Sequence, residues 1–241
     1  MNKHSSALWV VIPAAGAGSR MQAERPKQYL TINQQPLILF AIKLFEQHPE
    51  VDGVVVVIDD SDPYWPEISQ QCSDKVITAS GGAERSDSVL KGLNLIRQKL
   101  SETELADAWV LVHDAARPCL TTKDVNQLLS VREKYPQGAL LAAPVVDTLK
   151  RVNQSSIKTY DRREFVRAMT PQMAPLTALI DALNYCNKHD IAITDEAQAL
   201  EEFGHQVGIV IGSSHNIKVT YPDDLVLADL YLTQFFDDVE N

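Results

Sequence analysis

Short runs of consecutive apolar residues alternate with stretches whose apolar positions recur every three or four residues, along almost the whole chain. Residues 7–12 (ALWVVI), 54–58 (VVVVI), 75–78, 109–112 (WVLV), 139–146 (ALLAAPVV) and 207–211 read as strands, and runs without a polar alternate suit strands covered on both faces. Residues 36–48 place Leu37, Phe40, Ala41, Leu44 and Phe45 on one helical face. Residues 89–100, 124–134, 176–187 and 195–203 continue the helical pattern, and a last helix follows Pro222. Strands alternating with helices predict parallel βαβ units, hence an α/β, doubly wound, mostly parallel sheet of Rossmann-like type. One segment breaks the rhythm. Residues 148–163 (TLKRVNQSSIKTYDRR) are polar and basic with turn residues in the middle, and predict a protruding β-hairpin arm. A lone two-stranded ribbon is marginal in water, so the arm is expected to lie against another surface.

Composition narrows the function classes. The 241 residues are 45% hydrophobic and 22% charged, which excludes disordered and low-complexity chains. A formal charge of −10 argues against duplex nucleic acid or an anionic membrane as partner, because both require surplus Lys and Arg. Three widely spaced cysteines, with no CxxC pair, suggest neither a disulfide framework nor a zinc site, and suit a reducing cytoplasm. No apolar run approaches the roughly 20 residues of a membrane helix. The N-terminal apolar run followed by Ala15-Gly16-Ala17 imitates a secretory leader, but it is short, and cleavage there would remove the first strand.

Glycine is scarce, yet Gly16/Gly18 and Gly81/Gly82 each sit just after a strand, where open α/β sheets bind ligands. The first loop runs Pro13-Ala14-Ala15-Gly16-Ala17-Gly18-Ser19-Arg20-Met21 and continues to Pro26-Lys27. Its small residues leave backbone N–H groups free to cradle phosphate, beside Arg20, Arg25 and Lys27. Met21 occupies the third-glycine place of a dinucleotide fingerprint, no acidic residue ends the second strand, and no Gly-Lys-Ser/Thr follows, so neither the Rossmann nor the Walker motif is met. The bland alternative is a turn with solvated cations. The second loop, Gly81-Gly82-Ala83-Glu84-Arg85-Ser86-Asp87-Ser88, opens a helix and reads either as a turn capped by Ser86 or Asp87, or as a base or ribose pocket with Ser88 as a contact. The third, His113-Asp114-Ala115-Ala116-Arg117-Pro118, holds an Asp and an Arg that either pair with each other or grip a polar substrate or a metal-bound phosphate. His113 reads as structural. Asp195 with Gln198, and Thr220 with Asp223, look like capping boxes, whereas Lys218 in a short β-like run needs an anion or an exit to solvent. No GxSxG elbow, HExxH or Cys/His pair is present; cradles plus Arg and Lys suit phosphoryl or nucleotidyl transfer.

The motifs PAAGAGSRM…PKQY, GGAERSDSV, VHDAARP, APVVDT, ITDEA and NIKVT, in this order and spacing, closely resemble the 2-C-methyl-D-erythritol 4-phosphate cytidylyltransferase family. The resemblance spans about residues 10–232 and implies a single nucleotidyltransferase domain over 1–241, with 148–163 as a dimerisation arm and no fused cyclase. It implies Mg²⁺-dependent transfer of a cytidylyl group from CTP to methylerythritol phosphate, with release of pyrophosphate, the metal being held mainly through the CTP phosphates rather than by protein ligands. Arg20 and Lys27 would stabilise charge on the triphosphate. Pro13, Ala14, Ala15, Gly16 and Gly18 would line the nucleotide, and Gly82, Ala83 and Ser88 the cytosine. Asp114, Arg117, Thr148 and Thr194 would surround the sugar phosphate, which Arg162 and Lys218 would position. The arm would cross to a second subunit, making a homodimer the active unit. Tyr221 departs from the basic residue relatives often carry. A ribitol 5-phosphate cytidylyltransferase and a non-catalytic CTP sensor are the rival readings, a dinucleotide oxidoreductase the weakest.

Overall fold

In the computed structural model, which describes residues 6–16, 21, 25–153 and 156–236, the first apolar run forms strand β1 (Leu8–Pro13). A small ribbon of β2 (Thr31–Ile32) and β3 (Gln35–Pro36) leads into helix α1 (Leu37–Gln47). Then come β4 (Gly53–Ile58), α2 (Trp65–Ser69), β5 (Val76–Ser80), α3 (Arg85–Lys99), α4 (Glu102–Ala106) and β6 (Trp109–Val112). Helix α5 (Thr122–Leu129) precedes β7 (Ala139–Pro144), the arm strands β8 (Leu149–Asn153) and β9 (Ser156–Tyr160), and β10 (Val166–Pro175). The described chain ends with α6 (Leu176–Lys188), α7 (Glu196–Glu202), β11 (Gly208–Ile211) and α8 (Pro222–Phe236).

Seven strands form one sheet in the order β11-β7-β10-β6-β1-β4-β5. All neighbours pair in parallel except β10, which runs antiparallel to both β6 and β7. The chain winds outward from β1 through β4 to β5, then returns to lay β6 on the other side of β1. That reversal opens a crevice at the carboxyl ends of β1 and β6, where such sheets take ligands.

Strand residues alternate between two cores. Val10, Ile12, Val54 and Val56 pack on the face that carries α1, α2 and α5, while Val11, Val55 and Val57 face α3 and α6. A third, smaller cluster joins Leu37, Cys119, Val219, Ala228 and Leu232, seating α8 beside the start of α1. The arm belongs to none of them. Val152 and Ile157 lie directly opposite one another across β8–β9, and are 72% and 70% exposed.

The parallel α/β core and the hairpin follow the sequence pattern closely; the short elements β2, β3, α2 and α4 have no counterpart in it, Asp224 rather than Asp223 accepts from Thr220 N–H and Tyr221 N–H, and four further features differ. Helix α3 starts at Arg85 rather than at residue 89, because Glu84 and not Ser86 or Asp87 is the N-cap, in a reciprocal box with Asp87. Helix α5 ends at Leu129, short of residue 134. Lys218 lies in a loop, not in a β-like run. Strand β10, with a register shift between Ala168 and Gln172, has no counterpart in the apolar pattern, since Thr170, Pro171 and Gln172 occupy its middle.

Helix α3 approaches the sheet closely at Gly92, where a methyl group would sit 2.9 Å from Val11 Cγ1 and 3.0 Å from Val57 Cγ2. Gly92→Val is expected to push α3 off the sheet and lower the unfolding free energy by about 1–3 kcal/mol, read from urea melts. An unchanged midpoint would contradict this packing.

Candidate functional site

Three loops converge at the crevice. Beyond β1, Ala14 N–H still donates to Val57 O at 2.7 Å, and Gln28 Nε2 donates to Ala14 O at 2.6 Å, fastening a 3-10 turn (Lys27–Tyr29) under the first loop. Beyond β4, Ile58 O accepts from Gly81 N–H at 2.6 Å, and a side chain at Gly81 would collide with Ala15. The glycine there lets the two loops touch. A Cβ at Gly16, by contrast, would meet no atom within 4 Å among the described residues beyond its chain neighbours. Ser88 is buried; its Oγ accepts from Gly82 N–H at 3.0 Å and donates to Glu84 O at 3.1 Å, so the hydroxyl shapes the second loop from within.

The third loop is held by a neutral histidine. Fully buried His113 stacks edge-on against Phe45, with Nδ1 3.0 Å from Thr170 Oγ1 and Nε2 3.2 Å from Arg117 O. A carbonyl only accepts, so Nε2 carries the proton and Nδ1 accepts from the threonine hydroxyl, which itself accepts from Asp114 N–H at 3.1 Å. Burial pushes the imidazole pKa down to about 4.

Asp114 is the electrostatic centre. Its Oδ1 accepts from Arg85 Nε at 3.1 Å, while Oδ2 lies 2.9 Å from Lys218 Nζ and 3.5 Å from Arg117 Nε. Burial alone would raise its pKa, but Arg85, Lys218 and Arg117 together hold it well below the usual carboxylate range. Arg117 is anchored in turn by donating to Asn216 O at 2.7 Å, and Asn216 Nδ2 donates to Thr170 O at 2.7 Å. Arg85 also forms a fork with buried Glu196, at 2.6 and 3.2 Å.

Two cavities meet at this cluster. The first, about 260 Å³, is lined by Pro13, Ala14, Ala15, Gly16, Lys27, Gly82, Ala83 and Ser88, and also by Arg85, Asp114 and Lys218. The second, about 140 Å³, shares Arg85, Asp114 and Lys218 and adds Arg117, Thr170, Gln172, Thr194 and Asp195. A roomier, apolar cleft of about 710 Å³ between α1 and α8 contains none of these charged groups. Gly18 and Arg20 lie outside the described residues. Thr148 and Arg162 stand exposed at the arm and line neither cavity; Arg162 Nη1 donates to Val146 O. Sequence reasoning passed over Arg85, Gln172, Glu196 and Asn216. The sole cation in the second glycine loop was the available signal for Arg85; Glu196 read as part of a helix cap.

A sequence model of the 2-C-methyl-D-erythritol 4-phosphate cytidylyltransferase family matches residues 8–234. The chain belongs to this cytidylyltransferase family. It is 46% identical over 235 residues to the Vibrio atlanticus protein of that name, covering 97% of this chain and 99% of the relative. A Haemophilus influenzae protein of the same name is 45% identical over 226 residues, covering 93% and 96%. Among solved structures, the Francisella tularensis 2-C-methyl-D-erythritol 4-phosphate cytidylyltransferase superposes with a TM-score of 0.79 at 33% identity, covering 94% of this chain and 100% of that one.

In this cytidylyltransferase, His113 couples folding to pH. Its folded pKa lies below the unfolded value of about 6.5, so the unfolded chain binds the extra proton and stability falls as pH drops from 6.5 towards 4. The full effect is about 3 kcal/mol. Comparing urea melts of wild type and His113→Gln at pH 7 and pH 5 cancels the carboxylate contributions common to both; wild type is expected to lose more stability between the two pH values. Equal losses would mean the histidine is not buried neutral.

Proposed function

We propose that the chain transfers the cytidylyl group of CTP to 2-C-methyl-D-erythritol 4-phosphate, giving 4-diphosphocytidyl-2-C-methyl-D-erythritol and pyrophosphate in isoprenoid precursor biosynthesis. The observation that carries this reading is the pair of cavities sharing one charged wall, the arrangement a two-substrate transfer needs. CTP occupies the first cavity, its cytosine against Gly82, Ala83 and Ser88 and its phosphates against Pro13, Ala14, Ala15, Gly16 and Gly18. Fixed backbone donors and acceptors select cytosine, because uracil presents the opposite edge. The acceptor occupies the second, among Asp114, Arg117 and Thr194. An acceptor phosphate oxygen forms a bond to the α-phosphorus while the α–β bridging oxygen leaves with pyrophosphate. No general base is needed, since a phosphate monoester is largely dianionic at pH 7. Arg20 and Lys27 stabilise the charge that grows on the leaving group, and Lys218, at the shared wall, holds the attacking phosphate.

Among the described residues no group of three or more His, Cys, Asp or Glu side chains is arranged to hold a metal, and Asp114 is already engaged by three cations. The CTP phosphates carry the Mg²⁺, a reading supported by the engagement of the Asp114 carboxylate with Arg85, Arg117 and Lys218. The exposed Thr148 and Arg162, and the exposed apolar pair Val152–Ile157, support a homodimer in which the arm (148–163) of the single nucleotidyltransferase domain completes the other subunit's site. Among the described residues no helix is long and apolar enough to cross a membrane, and a cytoplasmic enzyme with no nucleic-acid partner accords with the acidic charge of −10.

Pyrophosphate release with CTP and Mg²⁺ is expected with methylerythritol phosphate, and not with ribitol 5-phosphate; the reverse pattern would overturn the acceptor. Lys27→Ala is expected to lower kcat by about 10²–10³-fold, where a CTP sensor would show only weaker binding. For the dimer, Lys27→Ala and Arg162→Ala are each expected to be nearly inactive, and their subunit-exchanged mixture to recover about a quarter of wild-type activity, since one site in each mixed dimer is intact. A mixture as inactive as its parents would sink the shared site.

A further inference from the structure

We propose that Arg85 and Glu196 are positioning residues that hold Asp114 for the acceptor and keep Arg85 away from the nucleotide. The inference rests on the two-cavity reading above. Arg85 is the first residue of α3 and lines both cavities, so its guanidinium has two anions within reach once CTP is bound: the Asp114 carboxylate and the triphosphate. Glu196 decides between them. It is 2% exposed, is not among the described residues that line the first cavity, and takes both Arg85 Nη1 and Nη2 in a fork at 2.6 and 3.2 Å. Nη1 is held there, while Nη2 is shared between the two carboxylates, lying 3.1 Å from Asp114 Oδ1, the same oxygen that accepts from Nε at 3.1 Å. A planar guanidinium gripped this way has little freedom to rotate, so the carboxylate it addresses is fixed as well.

Glu196 is itself rigidly mounted. It opens α7, whose cap Asp195 accepts from Gln198 N–H at 2.9 Å through Oδ1 and from Gln172 Nε2 at 3.0 Å through Oδ2. Gln172 Oε1 accepts from Ala197 N–H at 2.7 Å, which pins the first turn of α7 to β10. The charge count then explains what Arg85 does for the acceptor. An incoming dianionic phosphate draws Arg117 and Lys218, the two other cations on Asp114, towards itself. Arg85 remains as the counter-charge that keeps Asp114 ionised and in place, with Oδ2 released to accept from a hydroxyl of the polyol. Without the negative charge of Glu196, Arg85 turns towards the triphosphate and Asp114 loses its fixed partner.

The test is steady-state pyrophosphate release by the full-length enzyme carrying Glu196→Gln, which keeps the shape and removes the charge. The KM for methylerythritol phosphate is expected to rise about tenfold or more, as for loss of one charge-assisted contact, while the KM for CTP stays level or falls. A merely structural Glu196 would instead reduce the folded, active fraction, lowering kcat with both KM values unchanged. Arg85→Gln and the Arg85→Gln/Glu196→Gln double variant complete a cycle; residues acting as one unit give a double variant no worse than Arg85→Gln alone. Should Glu196→Gln fail to fold, Arg85→Lys, at a 31% exposed side chain, keeps the charge but not the fork and is expected to show the same split. Equal changes in both KM values, or additive effects in the cycle, would overturn the proposal. A wild-type enzyme that releases no pyrophosphate with this acceptor would overturn the catalytic reading instead.

Discussion

A buried carboxylate surrounded by cations from three separate parts of the chain governs the architecture of this site. Asp114 follows β6, Arg85 opens α3, and Arg117 and Lys218 come from the loops after β6 and β11. Ionised groups withdrawn from water carry a desolvation cost of several kcal/mol each, which only close, well-aligned partners offset. The cluster is therefore a poor way to gain stability. It is an effective way to keep cations at one place without neutralising them, and a pair of phosphate-bearing substrates needs that.

The sheet supplies the geometry for this cluster. The reversal of winding at β1 separates the loops that follow β1 and β6, and the crevice between them is the first cavity. The antiparallel β10 then enters beside β6 and brings polar residues where a parallel strand would bring only apolar ones: Thr170 to His113 and Asp114, Gln172 to α7. One strand thus secures the carboxylate on one side and the mount of Glu196 on the other. His113 can serve as the intermediate only because it stays neutral, since an imidazolium beside Arg117 would add a fourth cation to the cluster.

Much of this was legible in the sequence, and the physical reason divides the legible from the rest. Apolar runs such as VVVVI report burial directly, so the parallel strands, the hairpin and most helices follow from pattern alone. Glycines grouped after strands mark loops where backbone comes close, and Gly81 against Ala15 is such an approach. Strand β10 was illegible because its centre is buried through hydrogen bonds rather than apolar contact: Thr170, Pro171 and Gln172 look like loop until their partners, 23 to 57 positions away, are known. Arg85 and Glu196, separated by 111 positions, each fit a local account as helix-start residues. Local chemistry conceals a long-range ion pair whenever both ends sit at helix N-termini.

The inventory of nucleophiles leads to the same division of roles. Cys72, Cys119 and Cys186 are free, but burial pushes the Cys119 thiol up to about 12 and the Cys72 thiol up to about 11, far from the thiolate a nucleophile requires. Among the described residues, the histidine of the site is spent on holding a loop, and Asp114, the carboxylate that faces both cavities, is held ionised by its cations. None of these groups is poised to give or take a proton near neutral pH. What the site retains is fixed positive charge on a rigid frame, which is the provision required when the attacking group is a phosphate that arrives already ionised.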